Sequence, residues 1–422
     1  MVQRYYIETL GCPKNQVDSD KIAGKLIADG LVATEDASKA DIVVVNTCAF
    51  IEEARKESID TMLSLDDTRK RSSRLIVTGC MAERYGDELA EALPEADQVA
   101  GFGVPLQLTR KPIAVTGEIP KFDLLNLPRP KSTSPWAYVK IAEGCDRSCG
   151  FCAIPSFRGP QRSRDVASIL SEVEQLEVRE VVLIAQDLAS YGKDRPDELG
   201  AGSIVQLVRD VAAMADWVRL LYLYPSDLSD ELIDAILDTG VPYFDLSLQH
   251  ASKEHLRRMK RWGDGPRFLE RIARIRTLSP DAAFRSNFIV GYPGETEEDH
   301  DQLLSFVRDA QLDWCGFFAF SPEDGTHALT LPNRVEEGLM NERLAELREL
   351  QDNISAERRD LLLGETIEVL VDEPGIARSF REAPEIDGVV QVPEHLEVGR
   401  FHTVVVDQVF GPDLIAVEAP GK

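Results

Sequence analysis

Apolar residues in the first quarter of the chain fall into short β-branched runs, Tyr5–Thr9, Ile42–Asn46 and Leu75–Thr78. Between them lie amphipathic stretches such as "SDKIAGKLIADG" and "EEARKESIDTML", with apolar positions at helical spacing. Strands alternating with helices predict a parallel sheet over residues 1–118, because parallel neighbours need a crossover connection. Each run is followed within three residues by a cysteine: "YYIETLGC" closes at Cys12, "DIVVVNTC" at Cys48 and "RLIVTGC" at Cys80. Right-handed crossovers set the carboxyl ends of all such strands along one edge of the sheet, so the three thiols are expected to converge there. Open α/β sheets bind their ligands at that edge.

The pattern breaks in "IPKFDLLNLPRPKSTSP", a proline-punctuated stretch without sustained periodicity, which predicts a linker over 119–135. From Trp136 the alternation restarts. "WAYVKIA", "EVVLIAQ", "VRLLYLY", "YFDLSLQ", "FRSNFIVG" and "WCGFFAF" read as six strands with helical patterns between them. Eight such units close a barrel; six predict an open, partial one over residues 136–357. "VEEGLMNERLAELRELQDNISAERRDLL" reads as one long amphipathic helix. Beyond Gly364 come short β runs separated by turn residues, so 358–422 is expected to be a small all-β module, a barrel. The predicted class is α/β with a separate small β-barrel at the carboxyl end.

Composition narrows the function. The 422 residues carry 47 Lys and Arg against 73 Asp and Glu, a net charge of −26. That disfavours a broad grip on nucleic acid, which needs clustered basic residues, and suits a basic protein partner. No apolar run is long enough to span a membrane, and the opening residues lack a signal-peptide pattern, so no membrane association and a cytoplasmic location are expected. Seven cysteines, an odd count in a reducing compartment, argue against a disulfide framework.

The chemistry concentrates in "EGCDRSCGFCAIP". Cys145, Cys149 and Cys152 stand at C-x₃-C-x₂-C in a glycine-bearing loop after the first barrel strand. Three thiolates on one loop can bind three irons of a cubane cluster and leave the fourth iron open. Zinc would need a fourth ligand, and no histidine is at hand in the loop. Burial of three packed cysteines is at odds with neighbours such as Asp146, Arg147 and Ser148.

A C-x₃-C-x₂-C loop after strand one of a barrel resembles the radical S-adenosylmethionine superfamily. That resemblance implies a 4Fe–4S cluster whose open iron binds S-adenosylmethionine and reduces it to a 5′-deoxyadenosyl radical. The further trio Cys12, Cys48 and Cys80 resembles the methylthiotransferase family within it. There those residues would hold an auxiliary 4Fe–4S cluster, two clusters in all, and the carboxyl-terminal module would be a TRAM-like domain. "LGCPKNQVDSD", "EGCDRSCGFCAIPSFRGPQRSR", "LSLQHAS", "FIVGYPGETEED" and "EAPEIDG" are similar to the RimO branch, which acts on a ribosomal protein, rather than to the MiaB branch, which acts on tRNA. The implied reaction is methylthiolation of an aspartate β-carbon in small-subunit ribosomal protein twelve. It would use two S-adenosylmethionine molecules per turnover and an electron donor. Residues 361–422 carry 4 Lys and Arg against 12 Asp and Glu, net 4 − 12 = −8, a poor clamp for tRNA. A non-catalytic iron–sulfur carrier is the reading from another class; an incomplete ligand set argues against it.

Barrel-strand ends supply the candidate S-adenosylmethionine contacts Gln186, Gln249, Arg285 and Gly291. Ordinary strand capping explains any one of them equally well. The basic run "RRMKR" (Arg257–Arg261) reads as a solvated helix face, and Cys315, among aromatics, as a buried filler.

Overall fold

A computed structural model describes residues 2–106, 108, 123–200 and 202–419. The sequence boundary at 118 and the first residues of the 119–135 linker lie outside the described residues. The chain forms two compact units. One comprises Met1–Lys131, Ala142–Arg147 and Ala153–Arg164; the other comprises Ser132–Ile141, Ser148–Cys152 and Asp165–Lys422.

The first unit is built on a five-stranded parallel sheet. In chain order its elements are β1 (Arg4–Thr9), α1 (Pro13–Ala28), β2 (Val32–Ala33), β3 (Ile42–Thr47), α2 (Glu52–Thr68), β4 (Arg74–Gly79), α3 (Cys80–Ala92) and β5 (Gln98–Ala100). The spatial order is β2-β1-β3-β4-β5. Every residue of β3 and β4 is buried, which is why both read as continuous apolar runs. The edge strands β2 and β5 are two and three residues long and gave no periodic signal. Part of the expected linker is bound to this unit. Leu124 and Leu125 are buried, the Lys21 ammonium donates to the Leu125 carbonyl at 2.6 Å, and Arg129 pairs with Asp20 at 3.0 Å.

The second unit contains six parallel strands: β6 (Trp136–Lys140), β9 (Glu180–Ile184), β10 (Trp217–Leu220), β11 (Tyr243–Gln249), β12 (Ala283–Val290) and β13 (Trp314–Ala319). They run β6-β9-β10 and β11-β12-β13, joined by a parallel bridge between Leu223 and Leu246. This is the open six-stranded barrel that the pattern predicts. Two short strands, β7 (Ala142–Glu143) and β8 (Arg162–Ser163), form an antiparallel ladder in the first unit at the neck of the cysteine loop. The long helix spans Glu337–Asp360. β14 (Thr366–Glu373), β15 (Ile376–Arg378), β16 (Val390–Gln391), β17 (Phe401–Phe410) and β18 (Asp413–Glu418) close the carboxyl-terminal barrel around Val369, Val371, Val404, Val406 and Leu414.

The amino edge of the six-stranded sheet is sealed by the loop that follows β15. Glu180, fully buried, accepts from Arg219 and Arg378, each at 2.7 Å. The Tyr243 hydroxyl donates to Asp387 at 2.6 Å, and Tyr138 to the Pro384 carbonyl at 2.8 Å. Arg285 is caught in the same network, 3.4 Å from Asp245 and 3.3 Å from Asp387. It stands third in β12, five residues before the strand's carboxyl end. At about 3.3 Å per residue that is roughly 17 Å from the ligand-binding edge. The assignment of Arg285 to the cofactor is therefore corrected: strand position and two carboxylates commit it to the seal. "EAPEIDG", read at first only as a mark of resemblance, supplies Glu382, Asp387 and the Pro384 carbonyl to that seal.

Candidate metal centres

Two glycines and an asparagine gather the first trio. Cys12 is the N-cap of α1, Cys48 follows β3 directly, and Cys80 opens α3 at the end of β4. β1, β3 and β4 are neighbours, so the three thiols share one end of adjacent strands. Gly11 (φ +98°) and Gly79 (φ +92°) turn the chain in the left-handed region. A Cβ on Gly11 would fall 2.8 Å from Cys48 Cβ and 2.9 Å from its sulfur; one on Gly79 would fall 2.6 Å from the Thr47 nitrogen. The glycine before a cysteine is thus the price of bringing strand ends this close. Asn15, fully buried, donates to the carbonyls of Leu10 (2.7 Å) and Thr47 (3.1 Å), tying the ends of β1 and β3 together. Sequence reasoning passed over Asn15; its one signal was its place four residues after Gly11, in the first turn of the helix.

The three thiols act on one another. Burial pushes the Cys48 thiol up to about 12, and charge on Cys12 and Cys80 pushes the same way. Burial also raises Cys80, against the Arg158 guanidinium, which lowers it. All three are free of disulfides. Soft sulfur donors, mutually repelling when ionised and withdrawn from water, suit a cation that replaces three protons at once. The donor set fits an iron–sulfur cluster with three protein ligands.

The second trio is tethered by sequence, four and three residues apart. In the first unit, the Cys145 amide donates to the Gly159 carbonyl at 3.1 Å, and the Arg147 amide to the Cys145 sulfur at 3.4 Å. In the second unit, Cys149 and Cys152 share a turn, with the Cys152 amide on the Cys149 carbonyl at 3.2 Å. The Gly150 amide pins that turn to the Met259 carbonyl at 2.8 Å. Arg261 donates to the Cys149 sulfur at 3.4 Å and lies over the Tyr224 ring at 4.0 Å. "RRMKR" is therefore divided: Arg257 is exposed and pairs with Glu254, whereas Arg261 faces a candidate ligand. Amide and guanidinium donors to the sulfurs suit thiolates carrying a cluster.

Three of the predicted S-adenosylmethionine contacts share the carboxyl edge of the second unit's sheet. Gln186 lies two residues past β9, Gln249 ends β11 with φ +71°, and Gly291 follows β12. The Gly291 amide donates to Glu295 at 2.6 Å. Glu295 also accepts from Arg343 at 2.9 Å and stands beside a buried His250–His255 pair whose rings are 4.4 Å apart. With Glu295 already bonded and Arg258 and Arg343 nearby, this group is a packed polar floor beneath Gly291 rather than a further metal site. Cys315 lies in β13, and burial raises its thiol.

Comparison with known proteins accounts for nearly the whole chain. Residues 4–101 match the uncharacterized protein family UPF0004, 139–307 the radical SAM superfamily and 363–418 the TRAM domain. The ribosomal protein uS12 methylthiotransferase RimO of Moorella thermoacetica is 41% identical, with 96% of this chain and 97% of that protein covered. The chain belongs to the RimO family. The RimO proteins of Streptomyces avermitilis (40% identical, 98% and 96% covered) and of a Synechocystis strain (39%, 98% and 97%) agree. Both cysteine trios fall within matched segments.

Proposed function

We propose that this protein is a radical S-adenosylmethionine enzyme that methylthiolates the β-carbon of an aspartate in ribosomal protein uS12. Cys145, Cys149 and Cys152 would hold one 4Fe–4S cluster and Cys12, Cys48 and Cys80 a second. When bound, these clusters supply the electron that cleaves S-adenosylmethionine and a site from which sulfur is delivered. The observation that carries the reading is the first trio: three undisulfided thiols on adjacent strand ends, a ligand set a one-cluster enzyme does not need. The chain's own residues position and shield. Asn15 fixes the strand ends, Arg261 holds Cys149, and Gln186, Gln249 and Gly291 form the edge on which the nucleoside would lie.

The substrate reading is supported by charge. In the carboxyl-terminal barrel, Arg378 turns inward to the seal and Arg381 is half-buried and paired with Asp281, while Glu365, Glu368, Glu373, Glu385, Glu394, Glu397, Asp407 and Glu418 are exposed. The outer face is more acidic than composition alone conveys, as a receptor for a basic ribosomal protein should be. The protein would act in the cytoplasm, on free or subunit-bound uS12, with an external electron donor; among the described residues no helix is long and apolar enough to cross a membrane. The test is anaerobic reconstitution, with iron and acid-labile sulfide counted per chain. Incubation follows with S-adenosylmethionine, a reductant and either uS12 or tRNA. Two clusters and a methylthio group on a uS12 aspartate are expected; one cluster, or modification of tRNA alone, would reject the reading.

A further inference from the structure

A heavily engaged cation of the first unit is Arg158, whose side chain is 3% exposed. It ends α4 (Ile154–Arg158), six residues past Cys152. The Ala153 and Phe157 side chains that flank it are packed into the core of the first unit with Val43, Val77, Cys80 and Met81. One guanidinium nitrogen bonds Asp18 at 3.0 Å and both oxygens of Glu143 at 3.0 and 3.1 Å. The other bonds Asn15 Oδ1 at 2.7 Å and the Cys80 sulfur at 3.1 Å. Its face lies 4.1 Å from the centre of the Phe102 ring. Burying a guanidinium is costly unless its donors are satisfied, and two carboxylates already neutralise it. Nothing in that balance requires a donor aimed at sulfur. Yet the fork is oriented so that one nitrogen reaches the same asparagine that ties β1 to β3 and, beside it, a thiol of the trio. Lysine, with its three donors on one nitrogen, cannot serve Asp18, Glu143, Asn15 and Cys80 together.

We propose that Arg158 is a positioning residue for the auxiliary cluster, holding Cys80 as a ligand by an N–H···S hydrogen bond and setting that cluster's reduction potential. This rests on the reading of the first trio as a cluster site. Hydrogen bonds and positive charge at ligand sulfurs raise the potential of a cluster, and loss of an outer partner of a ligand weakens metal retention by about 10–100-fold. Arg158 is also bonded close to Cys145 in sequence. Its partner Glu143 lies two residues before Cys145, so the neck of the second trio's loop and a ligand of the first trio share one guanidinium.

The experiment uses the full chain in a Cys145→Ala, Cys149→Ala, Cys152→Ala background, reconstituted anaerobically, so that only the first trio can bind iron. Arg158→Gln, Arg158→Lys and the charge-balanced pair Arg158→Gln with Asp18→Asn are compared with that parent. The readouts are the rate of iron release to a chelator, the electron paramagnetic resonance spectrum of the reduced cluster and its midpoint potential. Arg158→Gln is expected to release iron on the order of 10–100 times faster, with a more negative potential and an altered spectrum. Arg158→Lys should restore part of the potential but not the retention. Should Arg158→Gln fail to fold, the charge-balanced pair keeps the net charge of the site unchanged and carries the same expectation. Unchanged release, spectrum and potential in a folded variant would overturn the role of Arg158 while leaving the cluster in place. A parent that binds no iron would overturn the cluster reading itself, and this inference with it.

Discussion

The two cysteine trios are assembled by opposite means. Cys145, Cys149 and Cys152 lie on one loop, and seven residues of covalent tether do most of the gathering. Cys12, Cys48 and Cys80 are thirty-odd residues apart in sequence and meet only because β1, β3 and β4 are adjacent and parallel. The first trio is therefore a product of tertiary structure and pays for itself in fold: two left-handed glycines, a buried asparagine and fully buried central strands. The second trio instead owes its spacing to the chain itself, with a few loop bonds such as that of the Gly150 amide to the Met259 carbonyl. Damage should accordingly show in stability for the first and in chemistry for the second.

The sharpest break of that comparison comes from the ligands themselves. Cys149→Ala should abolish formation of 5′-deoxyadenosine by the reconstituted enzyme. Cys48→Ala should leave cleavage of S-adenosylmethionine near the parent rate and stop methylthio transfer. Both products are measured in one quenched assay by chromatography and mass spectrometry. Equal loss of cleavage in the two variants would show that the trios are not separate in function.

How much of this was legible beforehand follows the same division. The parallel sheet, the six barrel strands and the terminal β-barrel were readable because burial on both faces writes continuous apolar runs, and alternation writes half-buried ones. Both trios were readable because cysteines at strand ends and at C-x₃-C-x₂-C are local signals. Asn15, Arg158 and Arg261 were not, since a side chain that bonds groups far away in sequence leaves no periodic trace. Arg285 misled for a related reason: the strand was recognised, but which of its ends faces the ligand edge matters more than proximity to it. The loop Glu382–Asp387 likewise seals the barrel floor through tyrosines 144 and 246 residues earlier, a relation no pattern along the chain displays.

Paired glycine substitutions probe the cost of assembly next. Gly79→Ala forces a Cβ against the Thr47 backbone in a left-handed conformation, and should destabilise the first unit by ~1–3 kcal/mol and remove about half of the bound iron. Gly150→Ala would place a Cβ 2.7 Å from the Tyr292 hydroxyl. Gly150 has an ordinary φ and the contact is with one side-chain atom rather than the backbone, so stability should change less while cleavage of S-adenosylmethionine falls. Denaturant titration and iron analysis of both variants read the contrast; equal losses of stability would remove it.

Acid should act on the second unit through its polar floor. Burial holds His255 down at about 4, below its ordinary 6.5, with Arg258 and Arg343 pushing the same way and Asp299 opposing. His250 is lowered further, by burial and by His255. A histidine kept neutral in the fold binds fewer protons than the unfolded chain. Its contribution is thus complete above pH 6.5 and is lost as the pH falls toward 4. Between pH 7 and pH 5 His255 alone accounts for about 2 kcal/mol. Unfolding of the cluster-free protein measured across that range should show the decline, and His255→Leu should make it shallower, leaving the part due to His250; an unaltered slope in the variant would mean that the titrating group lies elsewhere.

The smallest expected effect tests whether the second trio is as loosely governed as the comparison holds. Arg261 is partly exposed and contributes a stacking contact on Tyr224 worth about 0.5–1 kcal/mol, so Arg261→Gln should leave the unfolding midpoint almost unmoved. Its guanidinium nevertheless donates to the Cys149 sulfur, and removing a charged N–H donor from a ligand lowers a cluster's potential. The midpoint potential of the cluster on Cys145, Cys149 and Cys152, measured with Cys48→Ala present to silence the other trio, should become more negative without loss of iron. A variant that instead sheds iron or unfolds would place Arg261 among the groups that build the site, and the loop would then depend on the fold as closely as Cys80 depends on Arg158.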